Sequence, residues 1–562
     1  MVKKIERKPE REWNEKILAY ALDNALSHDG KAAANAVLSH LFREGLQKDH
    51  IKEVMPLIQE IVKKVNSWDG EKQKKELKSS GIALKKFEPS EERLHDLPHV
   101  SKEMVFRLAP FPSGDLHIGN AKTYILNALY AEKYTAKILL VIDDTIGSEE
   151  KAIVEEAYTL IPESFDWLGI KYEKPIFYKS DRLKIYYEYA EKIIMYGKAY
   201  VCHCKVEDMR KMRAEEKECT CRNLSIEEQK KRWKEMFKMK EGQATLRIKT
   251  SMQDPNPAFR DRVLFRISER EHIRVGKKYK VWPMLEFSWA IDDHLLGITH
   301  IIRGNDLMIE TLMERYIWDI FGWPDKTVVH GGFLTIEGVK LSKSKAQHEV
   351  KSGEYIGWDD PRTWSIHSLM RRGFKPEALR KFVEEIGLNQ SDITVPIDSL
   401  YALNRKLIDK EAERYSFVEH PVKLNIGVMP DIREIKVKVH PEHKKTRLIK
   451  IGKDIYISLA DHEQHQDEEV RLLHLFNIKL GKEDLFTSLE NKDIPKINWV
   501  SRFVKARVFM DNGEWKEGYV EEGVGGLKPG AVIQFERNFF VRFDRKVKKG
   551  KEEIYEFWFA HK

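Results

Sequence analysis

The sequence predicts an α/β domain built on a parallel sheet, preceded by a helical region and followed by an all-β region. Three patterns lead there. Between Val105 and Thr145 a short apolar run, a proline- and glycine-rich turn, a helically spaced segment and an unbroken apolar run follow one another. Up to about residue 98 apolar residues recur at helical spacing, and beyond about Glu413 short alternating segments are divided by Pro, Gly and Asn turns.

In the first region Ile17, Leu18, Tyr20, Ala21, Asn24 and Ala25 begin one amphipathic pattern and Val54 to Val65 continue another, giving a helical domain over 1–98. Lysines from Lys72 to Lys86 read as a charged connector, with Pro89 and Pro98 at the boundary. Val105 to Ala109 is then a short strand carrying Arg107, stopped by Pro110, Pro112, Ser113 and Gly114. From Leu116 to Leu129 the spacing is helical, and Ile138 to Ile142 forms a strand buried on both faces. A strand-helix-strand unit of this length implies parallel pairing with a right-handed crossover, which brings Arg107 and Asp143-Asp144-Thr145 to the carboxyl edge of one sheet. Ligands of open α/β sheets bind at that edge.

Gly114 and Gly119 allow backbone to approach a flat or anionic ligand, and free N–H groups at the helix start favour phosphate. The glycine spacing is that of a P-loop, but Asn120-Ala121-Lys122 stands where that motif needs its lysine and hydroxyl, so the motif is rejected. Taken alone, His117 reads as a surface or capping histidine. The segment from Arg107 to Asn120, however, resembles the HIGH signature of class I aminoacyl-tRNA synthetases in its glutamyl and glutaminyl form, with Asn120 in place of the last histidine. The resemblance implies a Rossmann-like catalytic domain binding ATP with Mg²⁺. In it His117 steadies the pentacovalent α-phosphate and Gly119 lets adenine lie against backbone, with Pro110, Ser113, Gly114 and Asn120 completing the nucleotide site. Lys340-Leu341-Ser342-Lys343-Ser344 matches the KMSKS loop of the same family with one leucine, which adds Lys340, Ser342 and Lys343 to the ATP contacts. Nucleotidyl transfer gathers negative charge on the α-phosphate and the departing pyrophosphate, so ammonium groups that engage late stabilise the transition state selectively. Lys343 is therefore the main catalytic candidate, with His117 and Gly119.

A guanidinium at the end of the first strand is suited to grip a carboxylate, which points to an acidic substrate. By resemblance Arg107 reads the side chain of glutamate and Asp143 holds its ammonium group, although Asp143 also reads as a turn cap. Ile291 to Arg303 resembles the family's second substrate-binding strand and following loop. Glutamyl enzymes carry arginine at the position of Arg303 and glutaminyl enzymes a small neutral residue; Ala109 agrees, since glutaminyl enzymes usually have proline there. A site built on buried cations would reject the neutral amide by leaving those cations unpaired. Val141, Ile146 and Leu285 depart from the family's usual arginine, acidic or amide residue, and tyrosine.

All four cysteines fall in two pairs, Cys202-His203-Cys204 and Cys219-Thr220-Cys221, a spacing that lets four thiolates close a tetrahedron around a structural Zn²⁺; His203 is the alternative ligand. Residues 222–240 are basic and helical. Ala244 to Lys249 reads as an alternating strand with two cations on one face, suited to a phosphate backbone. The resemblance makes 201–281 an inserted subdomain that grips the acceptor end of tRNA. It divides the catalytic domain into 99–200 and 282–350, with the sheet resuming from Trp282 and a hairpin following His330 to Leu334. Helices over 351–412 connect to 413–562, where segments such as Ile435 to Val439 and Val504 to Val508 form two small barrels. Their end, Leu527 to Arg537 with Phe540 to Arg542, resembles archaeal and eukaryotic-type anticodon-binding domains. Most aromatics there read as barrel core.

At 562 residues the chain accommodates several domains, and no apolar run approaches the roughly 20 residues of a membrane span. No secretory signal is evident, so the expected compartment is cytoplasmic. A net charge of +8 permits a polyanionic partner without demanding one. The resemblance covers nearly the whole chain and is to the archaeal type of glutamyl-tRNA synthetases. It implies ATP-dependent attachment of L-glutamate to tRNA(Glu) through a glutamyl-adenylate, with AMP and pyrophosphate released, and the N-terminal helices as a candidate surface for RNA or protein. The rivals are a glutaminyl enzyme, opposed by Arg303 and Ala109, and an inactive tRNA-binding paralogue, suggested by Val141, Leu285 and Asn120.

Overall fold

The computed structural model describes residues 9–27, 30–43, 46, 51–80, 94–146, 152–339 and 343–562. Contacts divide the chain into two units, Met1–Glu91 and Glu92–Lys562. In the first, helices Pro9–Ser27, Ala34–Arg43, Ile51–Asn66 and Gly70–Ser80 enclose a core of Ile17, Tyr20, Ala21, Val37, Leu41, Ile58 and Val65. Gln73 is fully buried, and its amide donates to the carbonyls of Gly30, Val65 and Trp68, so one polar side chain satisfies three backbone acceptors. Two expectations shift. Lys72, Lys74, Lys75 and Lys78 lie on a helix instead of a connector, while Lys85, Lys86 and Pro89 fall outside the described residues. The boundary precedes residue 98, since Leu97 is buried in the core of the second unit.

The second unit begins with nine strands: β1 (Val105–Leu108), β2 (Lys137–Ile142), β3 (Glu173–Tyr178), β4 (Ala199–Cys202), β5 (Thr245–Ile248), β6 (Val263–Ile267), β7 (Val281–Pro283), β8 (His300–Gly304) and β9 (Thr327–Gly331). A five-stranded sheet in the order β3-β2-β1-β8-β9 is parallel throughout. Helix Ile118–Tyr134 makes the crossover from β1 to β2 and ends at Thr135, whose φ of 54° lets its N–H return to the last turn. The strand order reverses at β1, so the carboxyl ends of β1 and β8 flank the crevice where this class binds ligands.

Strands β4 to β7 form a separate antiparallel sheet. The insertion thus runs from Ala199 to Pro283, and Trp282 belongs to it: the indole is fully buried in the insert while the parallel sheet resumes only at β8. Most of the segment Ile291 to Arg303 is also not strand, because helix Leu285–Leu295 extends into it and Gly297, at φ 67°, turns the chain into β8. Among the described residues no hairpin follows His330; Leu334–Ile336 pairs in parallel with Ile393–Val395.

Helices Ile366–Arg372, Pro376–Ile386 and Ile397–Ile408 lead to the all-β end, which has two cores. One contains Phe417, Val508, Phe535, Phe543 and Phe557 under a seven-stranded sheet, the other Leu424, Ile457, Val470, Ile478 and Trp499. The two expected β modules are present, with aromatics inside. The final strand docks on the helices through His561, whose ring is fully buried, stacks on Tyr401, accepts from Asn404 Nδ2 at 3.0 Å and donates to the Lys562 carbonyl. Burial, against the pull of that carbonyl, pushes its pKa down to about 4. A depressed histidine stabilises the fold above the unfolded value of 6.5 and loses that contribution as pH falls toward 4, about 3 kcal/mol in all. Chemical denaturation at pH 7 and pH 4 should therefore show the wild type losing about 3 kcal/mol more than His561→Gln.

Candidate active site

At the reversal of strand order lies a cavity of about 240 Å³ lined by Arg107 on β1 and Ala109 just after it, Gly119 and Asn120 at the helix start, Trp289, and Arg303 on β8. His117 has an extended backbone (φ −91°, ψ 162°) and caps the helix, its Nδ1 accepting from Asn120 N–H at 3.3 Å. His117 thus takes the capping role that a lone histidine suggests, and it is not among the residues that line the cavity. Asn120 Oδ1 is buried without a hydrogen-bond partner, at a helix start whose Ile118 and Asn120 N–H groups are taken by the Trp364 carbonyl and by His117. The turn itself requires Gly114: its φ is 135°, and a Cβ would fall 2.1 Å from the indole of Trp358. Pro110 accepts from the N–H of Asp143 at 3.0 Å, and Ser113 N–H donates to Phe111, so both shape the loop after β1. Lys122 is buried with its Nζ on the Gly332 carbonyl at 2.8 Å, a structural tie in agreement with the rejected P-loop. Lys340 and Ser342 lie outside the described residues, as does the side chain of Lys343, whose backbone starts helix Lys343–Ser352.

Both carboxylate-reading arginines already hold protein carboxylates. Arg107 donates to Asp293 through Nε (2.5 Å) and Nη2 (3.1 Å), and Arg303 to Glu314 through Nη1 (2.9 Å) and Nη2 (2.7 Å). Burial opposes the charge on Arg107, but Asp293 outweighs it and raises the pKa. The two guanidiniums lie against one ring, 4.5 and 5.3 Å from the centroid of Trp289. Discrimination against an amide consequently does not follow from unpaired cations, because neither cation is unpaired.

Asp143 is not brought into the cavity lining. It is buried with Thr145 Oγ1 at 3.2 Å and Lys179 Nζ at 3.3 Å, and Lys179 itself is fully buried, donating to Ser288 at 2.8 Å. Burial lowers the Lys179 pKa although Asp143 and Asp292 oppose it. A resident ammonium therefore stands against Asp143, where the resemblance puts that of the substrate. Asp144 is structural, accepting from Ser180 N–H, Ser180 Oγ and Tyr158. Val141 is packed in β2 and Ile146 in the core with the insert. Sequence reasoning missed Trp289, Asp293, Glu314 and Lys179. Two arginines in apolar strands imply buried counter-ions, which could have flagged the Asp292-Asp293 pair; Glu314, on a helix of mixed charge, carries no such signal.

In the insert the four cysteine sulfurs lie within 4.8 Å of one another, with Cys202 and Cys219 3.7 Å apart. Tetrahedral zinc with bonds of about 2.3 Å requires sulfurs about 3.8 Å apart, so the set fits. His203 is exposed and outside it. Arg247 is buried, donating to the Asp261 carbonyl at 2.8 Å, with Nη1 3.9 Å from both Cys202 and Cys219. It therefore cannot face a phosphate backbone as the alternating pattern suggested. β5 is flanked by β4 and β6, and its cation complements the thiol cluster.

The order of strands and the cavity at their reversal define a nucleotide-binding enzyme domain of the doubly wound α/β class. The family model for "tRNA synthetases class I (E and Q), catalytic domain" matches residues 103–410, and that for the anti-codon binding domain matches 412–495. The chain is 38% identical to the glutamate–tRNA ligase of Methanocaldococcus jannaschii, over 95% of this chain and 98% of the relative. It is 41% identical to that of Pyrococcus furiosus, over 94% and 96%. The protein belongs to the class I tRNA synthetases of the E and Q family.

Proposed function

We propose that the protein attaches L-glutamate to the 3′ end of tRNA(Glu). The observation that carries this reading is the convergence of Arg107 and Arg303 with Gly119 and Asn120 on one cavity, in a chain alike over nearly its whole length to proteins named glutamate–tRNA ligase. The α-carboxylate of glutamate attacks the α-phosphorus of ATP, a new P–O bond forms and pyrophosphate leaves. The terminal ribose hydroxyl of tRNA then takes the glutamyl group and AMP departs. Gly119 and Asn120 hold the nucleotide at the helix start; His117, Lys340, Ser342 and Lys343 engage its phosphates. Bound Mg²⁺ supplies further neutralisation of phosphate charge. Positioning and charge stabilisation supply the rate, with no protein nucleophile required. The insert grips the acceptor end, the β modules read the anticodon, and the N-terminal helices offer a surface to RNA or protein. No described helix is long and apolar enough to cross a membrane, and we place the protein in the cytoplasm.

Aminoacylation of total tRNA with labelled glutamate or glutamine tests the reading. Glutamate charging is expected. Charging with glutamine would show that Arg303 does not discriminate, and tRNA binding without charging would identify an inactive paralogue. Cys202, Cys204, Cys219 and Cys221 are assigned to a structural zinc ion. Elemental analysis of the purified chain should find about one zinc, released together with loss of thermal stability in Cys219→Ser; a metal-free wild type of full stability would remove the assignment.

A further inference from the structure

We propose that Trp289 is a specificity-determining residue whose indole N–H, with Nε of Arg303, binds the side-chain carboxylate of the amino-acid substrate; this rests on the function proposed above. Trp289 lines the cavity and is 5% exposed, yet its N–H has no hydrogen-bond partner. Buried indoles ordinarily find one. Trp318 donates to the Ala290 carbonyl and Trp499 to that of Leu473. Trp233 and Trp282 also lack partners, but they sit in the apolar core around the insert. Arg303 shows the same pattern one step away. Glu314 and Thr311 take its two terminal nitrogens, while Nε is buried and unpartnered.

The charges around the indole explain why these N–H groups matter. Arg107, Lys179 and Arg303 all lie within 5.3 Å of the ring centroid, each already facing a carboxylate: Asp293, Asp143 and Glu314 respectively. The cations are compensated, so what the wall still offers an anion is directed N–H donation. Cations against the ring draw electron density from it and make the indole a better donor. On another wall Asn127 carries a buried Oδ1 without a partner, so the cavity's unused atoms include an acceptor as well as donors, as the ammonium and carboxylate of an acidic amino acid require. The unpartnered atoms are shut off from bulk water, so a carboxylate that reaches them meets no solvent competition.

Trp289→Phe keeps an aromatic ring among the cations and deletes the N–H. With glutamate as varied substrate its KM should rise about 10- to 100-fold, the size of a hydrogen bond to a charged group, while the KM values for ATP and tRNA and the melting temperature stay put. Arg303→Lys, which retains the charge and loses Nε, should shift the same KM. The preference for glutamate over glutamine should fall in both. An unchanged glutamate KM in folded Trp289→Phe overturns the proposal and leaves the parent function intact, as does a parallel rise in the KM for ATP, which would mark general distortion. A wild type that neither binds glutamate by calorimetry nor charges it overturns both.

Discussion

Replacing Lys343 with alanine is expected to lower glutamate-dependent pyrophosphate exchange by about 10²- to 10³-fold at saturating substrates, the range seen when one preorganised charge-stabilising group is removed. The chemistry explains both size and location. Attack on the α-phosphorus moves negative charge onto the leaving pyrophosphate, so a cation engaging mainly at that stage lowers the barrier without tightening ground-state binding. The loss should therefore fall on kcat, with the KM for ATP changing far less. Lys343 begins a helix, so its backbone is held while its neighbours on the N-terminal side belong to the matched loop. Arginine at this position keeps the charge and should recover part of the rate. If the alanine variant exchanges pyrophosphate at the wild-type rate, Lys343 is not the group that meets the leaving charge.

Asp293→Ala is expected to destabilise the second unit by about 3–5 kcal/mol, because it strands Arg107 as an uncompensated charge in the interior. Asp293 is fully buried and Arg107 is 6% exposed, so water cannot replace the lost carboxylate. The paired substitution Arg107→Met with Asp293→Leu removes both charges and should restore most of the stability, since exchanging a whole buried ion pair for apolar groups is often neutral. Chemical denaturation of the three proteins separates the cases. Both altered proteins should charge glutamate poorly, because Arg107, which lines the cavity, is either removed or left without the carboxylate that holds it in place. Equal instability in the single and double variants would show that packing around Trp289, not charge, sets the cost.

Much of this architecture was legible because it rests on local patterning. The alternation of a buried run, a proline- and glycine-rich stop and a helical segment can only be folded one way around Val105 to Thr145, and β1, the crossover helix and β2 follow it closely. The cysteine pairs were legible for the same reason: spacing brings each pair together, and one close approach completes the set. Errors fell where neighbours in space overrode local pattern. Trp282 looked like the return of the parallel sheet, yet β7 pairs with β6, because an apolar strand cannot announce its partner. Arg247 alternated as a surface cation would, but β5 is central in its sheet and its side chain turns toward the cysteines.

The active site divides along the same line. Sequence by itself determined which chemical groups are present and where on the sheet they would arrive: the arginines of β1 and β8 and the helix start with His117 and Gly119. Only the tertiary structure decided what those groups face. Arg107 meets Asp293, Arg303 meets Glu314, Lys179 meets Asp143, and all three cations gather on Trp289. Spacing along a strand or helix is a property of the local chain, whereas the partner of a buried charge is set by elements up to 186 residues distant, brought together when burial demands that each charge be compensated.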